Sequence, residues 1–177
     1  MGMQASEEHG SDRADVSRFE SFFRANYPTA VRIAWSVVRD SQLAEDVAQD
    51  AMIAARRRFP EMSDPSATGA WLRVAAVHLA LNSLRGERRR VLRQRRFVAP
   101  DAASAEEVVV EREDEDAIRR ALARLPARSA TVLVLRHSGL SYAEVADAMG
   151  VRVGHVGTML RRAEAALTRE VGRGTRS

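Results

Sequence analysis

His155, Thr158, Arg161 and Arg162 recur at helical spacing near the end of the chain. Together they offer an imidazole, a hydroxyl and two guanidinium groups on one side of a helix. Guanidinium groups bind phosphates and guanine edges, and the other two bond to base edges. This is the chemistry of binding rather than of bond making. No glycine-rich phosphate loop, nucleophile elbow or pair of ligand-spaced histidines occurs, and there is no cysteine. The sequence therefore predicts no catalytic residue, no metal site and no cofactor. The acids from Glu111 to Asp116 read as complements to the positive end of a helix rather than as metal ligands.

Two short helices must position these groups. Ser141 is a good N-cap, and Glu144 three residues later completes a capping box. Val145, Ala146 and Met149 give that helix an apolar side, and Gly150 follows where a helix commonly ends with positive φ. A second helix begins near Val153, with Val156, Leu160, Ala163 and Leu167 as its buried stripe. Gly154 and Gly157 interrupt its first turns, where each glycine costs about 1 kcal/mol relative to alanine. The pair reads as a DNA-reading helix-turn-helix.

The charge pattern supports a polyanionic partner. No lysine occurs, so all 28 basic residues are arginine, in a 177-residue chain of net charge +4. The stretch from Ala70 to Phe97 carries a net +7, Asp101 to Asp116 a net −7, and Met149 to Ser177 a net +4. Two basic surfaces separated by an acidic segment suggest two contacts with one nucleic acid. The longest uncharged stretch in the helical body, Val74 to Leu84, is eleven residues, against about 20 needed to cross a bilayer. The acidic N-terminus resembles no signal peptide. No membrane insertion and a cytoplasmic location are expected.

The periodicities predict an all-α chain of two small helical domains joined by a flexible linker. Residues 1–14 are polar and expected to be disordered. Residues 15–96 form the first domain. Its first helix carries Phe19, Phe22, Phe23, Ala30, Val31, Ala34 and Val38, with Pro28 expected to bend or split it. A second helix runs from Asp40 or Ser41 to about Phe59. Pro60 to Gly69 reads as a loop, and a third helix starts near Trp71, apolar all round to Leu84 and arginine-rich from Arg85 to Arg96. Residues 97–113 read as the linker, 114–171 as the helix-turn-helix domain, and 172–177 as a tail. On the second helix Leu43, Val47, Ala51 and Ala54 are assigned to the core. Glu45, Asp46, Gln49, Met52, Ile53 and Arg56 fall on the opposite face, where Met52 and Ile53 form an outward apolar patch suited to a protein partner.

These features resemble an extracytoplasmic-function (group IV, sigma-70 family) sigma factor of bacterial RNA polymerase. The likeness rests on Ala44-Glu45-Asp46-Val47-Ala48-Gln49, then Phe59, Trp71-Leu72 and Asn82-Ser83-Leu84-Arg85 in the first half. The second half contributes Leu125-Pro126, Leu135-Arg136, Leu140-Ser141, Glu144-Val145-Ala146, Gly150-Val151 and Leu160-Arg161-Arg162-Ala163. It spans Phe19 to Glu170. The resemblance implies that Glu45, Asp46, Gln49, Met52, Ile53 and Arg56 meet the clamp helices of the core polymerase β′ subunit. It places Ser63, Asp64, Trp71, Arg73, His78, Arg85, Arg88, Arg89 and Arg90 at the −10 element, where a base is flipped and the duplex melts. Arg152, His155, Gly157, Thr158, Arg161 and Arg162 would read the −35 element, while another surface of that domain sits on the β flap tip. Anti-sigma partners are common in the family, and no segment here is diagnostic of one.

The chain departs from the family at Met52, where an aromatic residue is usual, and at His155 and Gly157, where threonine and lysine are common. His78 stands in place of an asparagine and reads equally as a histidine packed between helices or as a promoter contact. The rival reading is a stand-alone helix-turn-helix regulator. Such proteins usually dimerise, and no dimerisation helix is left over here.

Overall fold

The computed structural model describes residues 4–59, 64–95 and 109–174, with side chains described for 16–59, 64, 66–87 and 114–173. Among the described residues there are seven α-helices and no strand: α1 (Gln4–Val38), α2 (Ser41–Arg58), α3 (Pro65–Arg95), α4 (Val109–Arg124), α5 (Ala127–His137), α6 (Tyr142–Met149) and α7 (Val153–Gly174). The all-α expectation holds.

The first three helices pack on one another. Helix α1 runs through Pro28, so the proline does not split it. Proline removes the bond to the Arg24 carbonyl, and both residues lie on the exposed side of the helix. Most of the polar N-terminus expected to be disordered belongs to this helix, which begins at Gln4. The helix ends at Arg39, whose φ of 55° lies in the left-handed region. Its N–H bonds to the Trp35 carbonyl at 3.0 Å, and its guanidinium lies 4.3 Å from the centre of the Trp35 ring. Asp40 then caps α2 by accepting from the Leu43 N–H at 2.8 Å.

Helix α2 buries Ala44, Val47, Ala48, Ala51, Met52 and Ala55. Four alanines in that stripe let α1 and α3 approach closely. Met52 is 3% exposed and belongs to the core, which corrects its expected outward placement. Leu43 and Ala54 are only half-buried. The buried face is thus turned toward Met52 relative to the face inferred from the sequence, because two helices wrap α2.

Helix α3 begins at Pro65, six residues before the expected Trp71. Asp64 caps it by accepting from the Ser66 N–H at 2.8 Å, and proline is favoured at the first helical position. Gly69 sits where a Cβ would lie 3.1 Å from Asn26 Oδ1 on α1, so its lack of a side chain permits close packing. Thr68, Leu72, Ala76, Val77, Ala80, Leu81 and Leu84 are buried. Residues 60–63 of the expected loop, and residues 97–108 of the expected linker, lie outside the described residues. Residues 109–113, also assigned to the linker, form the start of α4.

The remaining helices assemble around α7, which packs against α4, α5 and α6. Helix α6 has the expected capping box. Ser141 N–H donates to Glu144 Oε2 at 2.8 Å, and Glu144 N–H donates to Ser141 Oγ at 3.3 Å. At its other end Gly150 takes the left-handed conformation, φ 62° and ψ 41°. Val151 N–H closes the turn onto the Ala146 carbonyl at 2.9 Å. Val156, Leu160 and Ala163 of the expected α7 stripe are buried, and Leu167 is half-buried.

The two domains pack on one another. Helix α3 packs against α4, α5 and α6, and α1 against α5. Apolar contacts run without a break from one half into the other.

Candidate nucleic-acid interface

Arg152, just before helix α7, and His155, Thr158, Arg161 and Arg162 on it are exposed to solvent. Arg161 Nη2 donates to Thr158 Oγ1 at 3.4 Å, which orders two of the groups along the outer face. Gly157 is half-buried, and a Cβ there would meet the Tyr142 ring at 3.8 Å. Position 157 therefore looks toward α6, at the edge of the exposed face.

The fold adds two residues that the sequence reading missed. Arg128 and Ser129, on the first turn of α5, join Val132, Val151, His155, Thr158, Met159 and Arg162 around an open groove of about 530 Å³. Helix α5 has no side-chain cap at its N-terminus, so its free amides add partial positive charge to two guanidinium groups. An anion such as a backbone phosphate suits this groove. Pro126-Ala127-Arg128-Ser129 was the available signal, visible only once α5 was placed beside α7.

On α2, Glu45, Asp46, Gln49, Ile53 and Arg56 are exposed. Ile53 is 53% exposed and stands among acids and an amide. Arg56 lies over the Phe19 ring, 4.9 Å from its centre. Met52 takes no part in this face.

The residues assigned to the −10 element are dispersed. Ser63 lies outside the described residues, as do the side chains of Arg88, Arg89 and Arg90. Asp64 is the α3 cap. Trp71 is half-buried, with the Arg58 guanidinium 5.1 Å from its ring centre. His78 is exposed, which removes the reading of a histidine packed between helices. Arg85 faces the other half of the molecule: its Nε donates to the Ala123 carbonyl at 3.2 Å and its Nη2 to the Leu125 carbonyl at 3.3 Å. A guanidinium there caps the negative end of α4.

Arg73 is half-buried on α3. Glu144 is held below the ordinary carboxylate range, first by the backbone N–H of Ser141 and then by its hydroxyl. The positive charges of Arg73 and Arg32 add smaller contributions, against a small opposing effect of burial. A second groove, of about 410 Å³, runs between the end of α1 and helices α4, α5 and α7. Ile118, Leu122, Leu133, Leu160 and Leu167 supply its apolar wall.

Among the described residues no cluster of His, Asp or Glu could hold a metal ion. None of their helices is long and apolar enough to cross a membrane.

Comparison with known proteins agrees with this arrangement. Residues 22–90 match sigma-70 region 2, and residues 115–167 match sigma-70 region 4. The ECF RNA polymerase sigma factor SigM of Mycobacterium tuberculosis is 32% identical over 159 residues, covering 89% of this chain and 79% of SigM. The RNA polymerase sigma-H factor of Pseudomonas aeruginosa is 33% identical over 142 residues, 73% of this chain and 74% of that protein. Among solved structures, the sigma factor RpoE of Bartonella quintana, in complex with the anti-sigma factor NepR, is similar in fold. Its TM-score is 0.52 at 22% identity, over 88% of this chain and 97% of RpoE. CnrH, solved with the cytosolic domain of CnrY, gives the same score and identity over 88% of each chain.

A region 2 bundle followed by a region 4 helix-turn-helix defines a two-domain sigma-70 architecture. The chain belongs to the ECF RNA polymerase sigma factors, whose members are transcription regulators rather than catalysts.

Proposed function

We propose that this chain binds core RNA polymerase in the cytoplasm and directs it to promoters carrying its own −10 and −35 elements. The exposed face of α2 docks on the β′ clamp helices: Asp46 and Gln49 set register, and Ile53 supplies apolar burial. The outer face of α7 enters the major groove at the −35 element, where His155 and Thr158 reach base edges and Arg161 and Arg162 hold phosphates. The Arg128 groove takes a neighbouring phosphate. Helix α3 and the segment before it serve the −10 element, with His78 exposed for contact. The apolar groove beside Ile118 and Leu133 accepts the β flap tip.

The observation that carries this reading is the presence, on one chain, of a partner-ready face on α2 and a DNA-ready face on α7. A stand-alone regulator needs only the second. The solved neighbours are each held by a partner, an anti-sigma factor in the case of RpoE. A regulator of that class is expected for this chain too.

The test is reconstitution with core polymerase, followed by sequencing of the genomic fragments retained. The expected fragments share paired −10 and −35 motifs, absent from fragments retained by core alone. Failure to capture core, or equal selection by the free chain, overturns the proposal.

A further inference from the structure

Helix α7 carries a glycine that its own fold does not need. Gly154 is exposed, and a Cβ placed there would meet nothing within 4 Å. Its φ lies outside the left-handed region, which Gly139 and Gly150 occupy. Neither packing nor backbone geometry therefore excludes a side chain, although glycine weakens a helix relative to alanine. Gly157 differs, because a Cβ there would touch the Tyr142 ring at 3.8 Å. A glycine with no internal reason points to a partner that approaches the backbone closely.

The position of Gly154 says which partner. At about 100° per residue it falls between Thr158 and Arg161, within about 40° of each, and nearly opposite the buried Val156 and Ala163. It is thus central to the outer face, on the first turn of α7. Arg161 Nη2 donates to Thr158 Oγ1 at 3.4 Å, which joins the two side chains that border the gap. The residues nearest the start of a recognition helix are those that meet base edges. A helix with its side chains is about 10–12 Å across, and the major groove is about 12 Å wide. With so little clearance, the omission of one side chain decides how deep the helix sits. Thr158 is short, and its hydroxyl reaches a base edge only from a deeply seated helix.

Most groups that line the major groove are polar donors and acceptors, and the apolar exception is the C5 methyl of thymine. The bare Cα of Gly154 offers no polar side chain, and the space it leaves is the size of one methyl group. We propose that Gly154 seats the C5 methyl of a thymine in the −35 element, so that this base pair is read through an absent side chain. The proposal rests on the sigma-factor reading of α7. Any larger residue at position 154 fills the seat, pushes the helix outward and withdraws His155 and Thr158 from the base edges. The helix order that glycine forfeits in the free chain is offset by this contact on DNA.

The test compares preformed holoenzymes of the full-length chain on a promoter that the wild-type holoenzyme selects. Each thymine of its −35 element is replaced singly by deoxyuridine, which lacks only the C5 methyl. At one thymine the wild-type holoenzyme should bind about fourfold more weakly, the worth of one buried methyl group. Gly154→Ala should weaken binding to the unmodified promoter by about tenfold, as a mismatched base pair does. Deoxyuridine at that same thymine should restore most of the variant's loss, because removing the methyl makes room for the new one. The variant should melt at or above the wild-type temperature, since alanine favours the helix. A glycine that merely weakens α7 predicts the opposite sign, with tighter promoter binding by the variant. Binding by Gly154→Ala as tight as that of the wild type or tighter, or rescue at no thymine, overturns the proposal. A wild-type chain that brings core polymerase to no promoter overturns the sigma-factor reading and this proposal with it. A selective wild-type holoenzyme beside an equally tight variant overturns this proposal alone.

Discussion

Neighbouring residues of α2 have opposite fates, and the difference is measurable. Met52 is in the core and Ile53 in solvent. Truncating a buried methionine to alanine costs about 2–5 kcal/mol, so Met52→Ala should lower the urea midpoint strongly. Ile53→Arg should leave the midpoint nearly unchanged, since exposed substitutions lie within about 0.5 kcal/mol, yet abolish capture of core polymerase in a pull-down. The reverse pattern would return Met52 to the binding face. The sequence placed Ile53 correctly and Met52 wrongly because position 52 borders two faces of the helical wheel, and only the packing of α1 and α3 decides it. The capping box at Ser141 and Glu144 was legible because its four atoms lie within one turn. It also carries a pH dependence. The folded pKa of Glu144 lies below its ordinary value of 4.5, so its contribution is present above that pH and lost as pH falls through the folded value. Thermal melts from pH 6 down to about pH 3 should therefore show a shallower acid limb for Glu144→Gln than for the wild type. Parallel limbs would show that the carboxylate adds nothing.

At the scale of the elements, helix type and order were readable, but the starts of α1, α3 and α4 were not. Pro65, Ser66 and Gly69 read as loop residues, although Asp64 followed by proline is also a capped helix start. Gly69 looked like a breaker until Asn26 was found against it. The helix-turn-helix was more legible because its caps and apolar stripe reinforce one another over a short span. What escaped notice was the start of α5, since Arg128 reaches the α7 groove only through tertiary packing. Arg128→Ala and Arg162→Ala should each weaken promoter binding by the holoenzyme about equally on all promoters. Each should also lower the slope of log affinity against log salt by about one, the signature of a lost phosphate contact. A change of promoter preference with an unchanged slope would mean base reading instead.

For the whole molecule, the blocks of charge announced two basic surfaces but not how they sit. The acidic segment looked like a spacer. The end of the expected linker, residues 109–113, instead belongs to α4, and Glu115 in the same helix meets Arg39 of α1. Long-range packing of this kind leaves no local pattern in a sequence. The free chain should bind DNA weakly and with little sequence preference, because Gly154 and Gly157 weaken the first turns of α7. In a gel-shift assay, promoter and scrambled duplexes should compete equally for the free chain, and only added core polymerase should separate them. Tight, selective binding by the free chain would favour the stand-alone regulator. Helix α2 has its main contacts with α1 and α3, and Asp46, Gln49 and Ile53 on its outer face are exposed. On the proposed reading, this face is open to core polymerase without any rearrangement of the packing between the two halves.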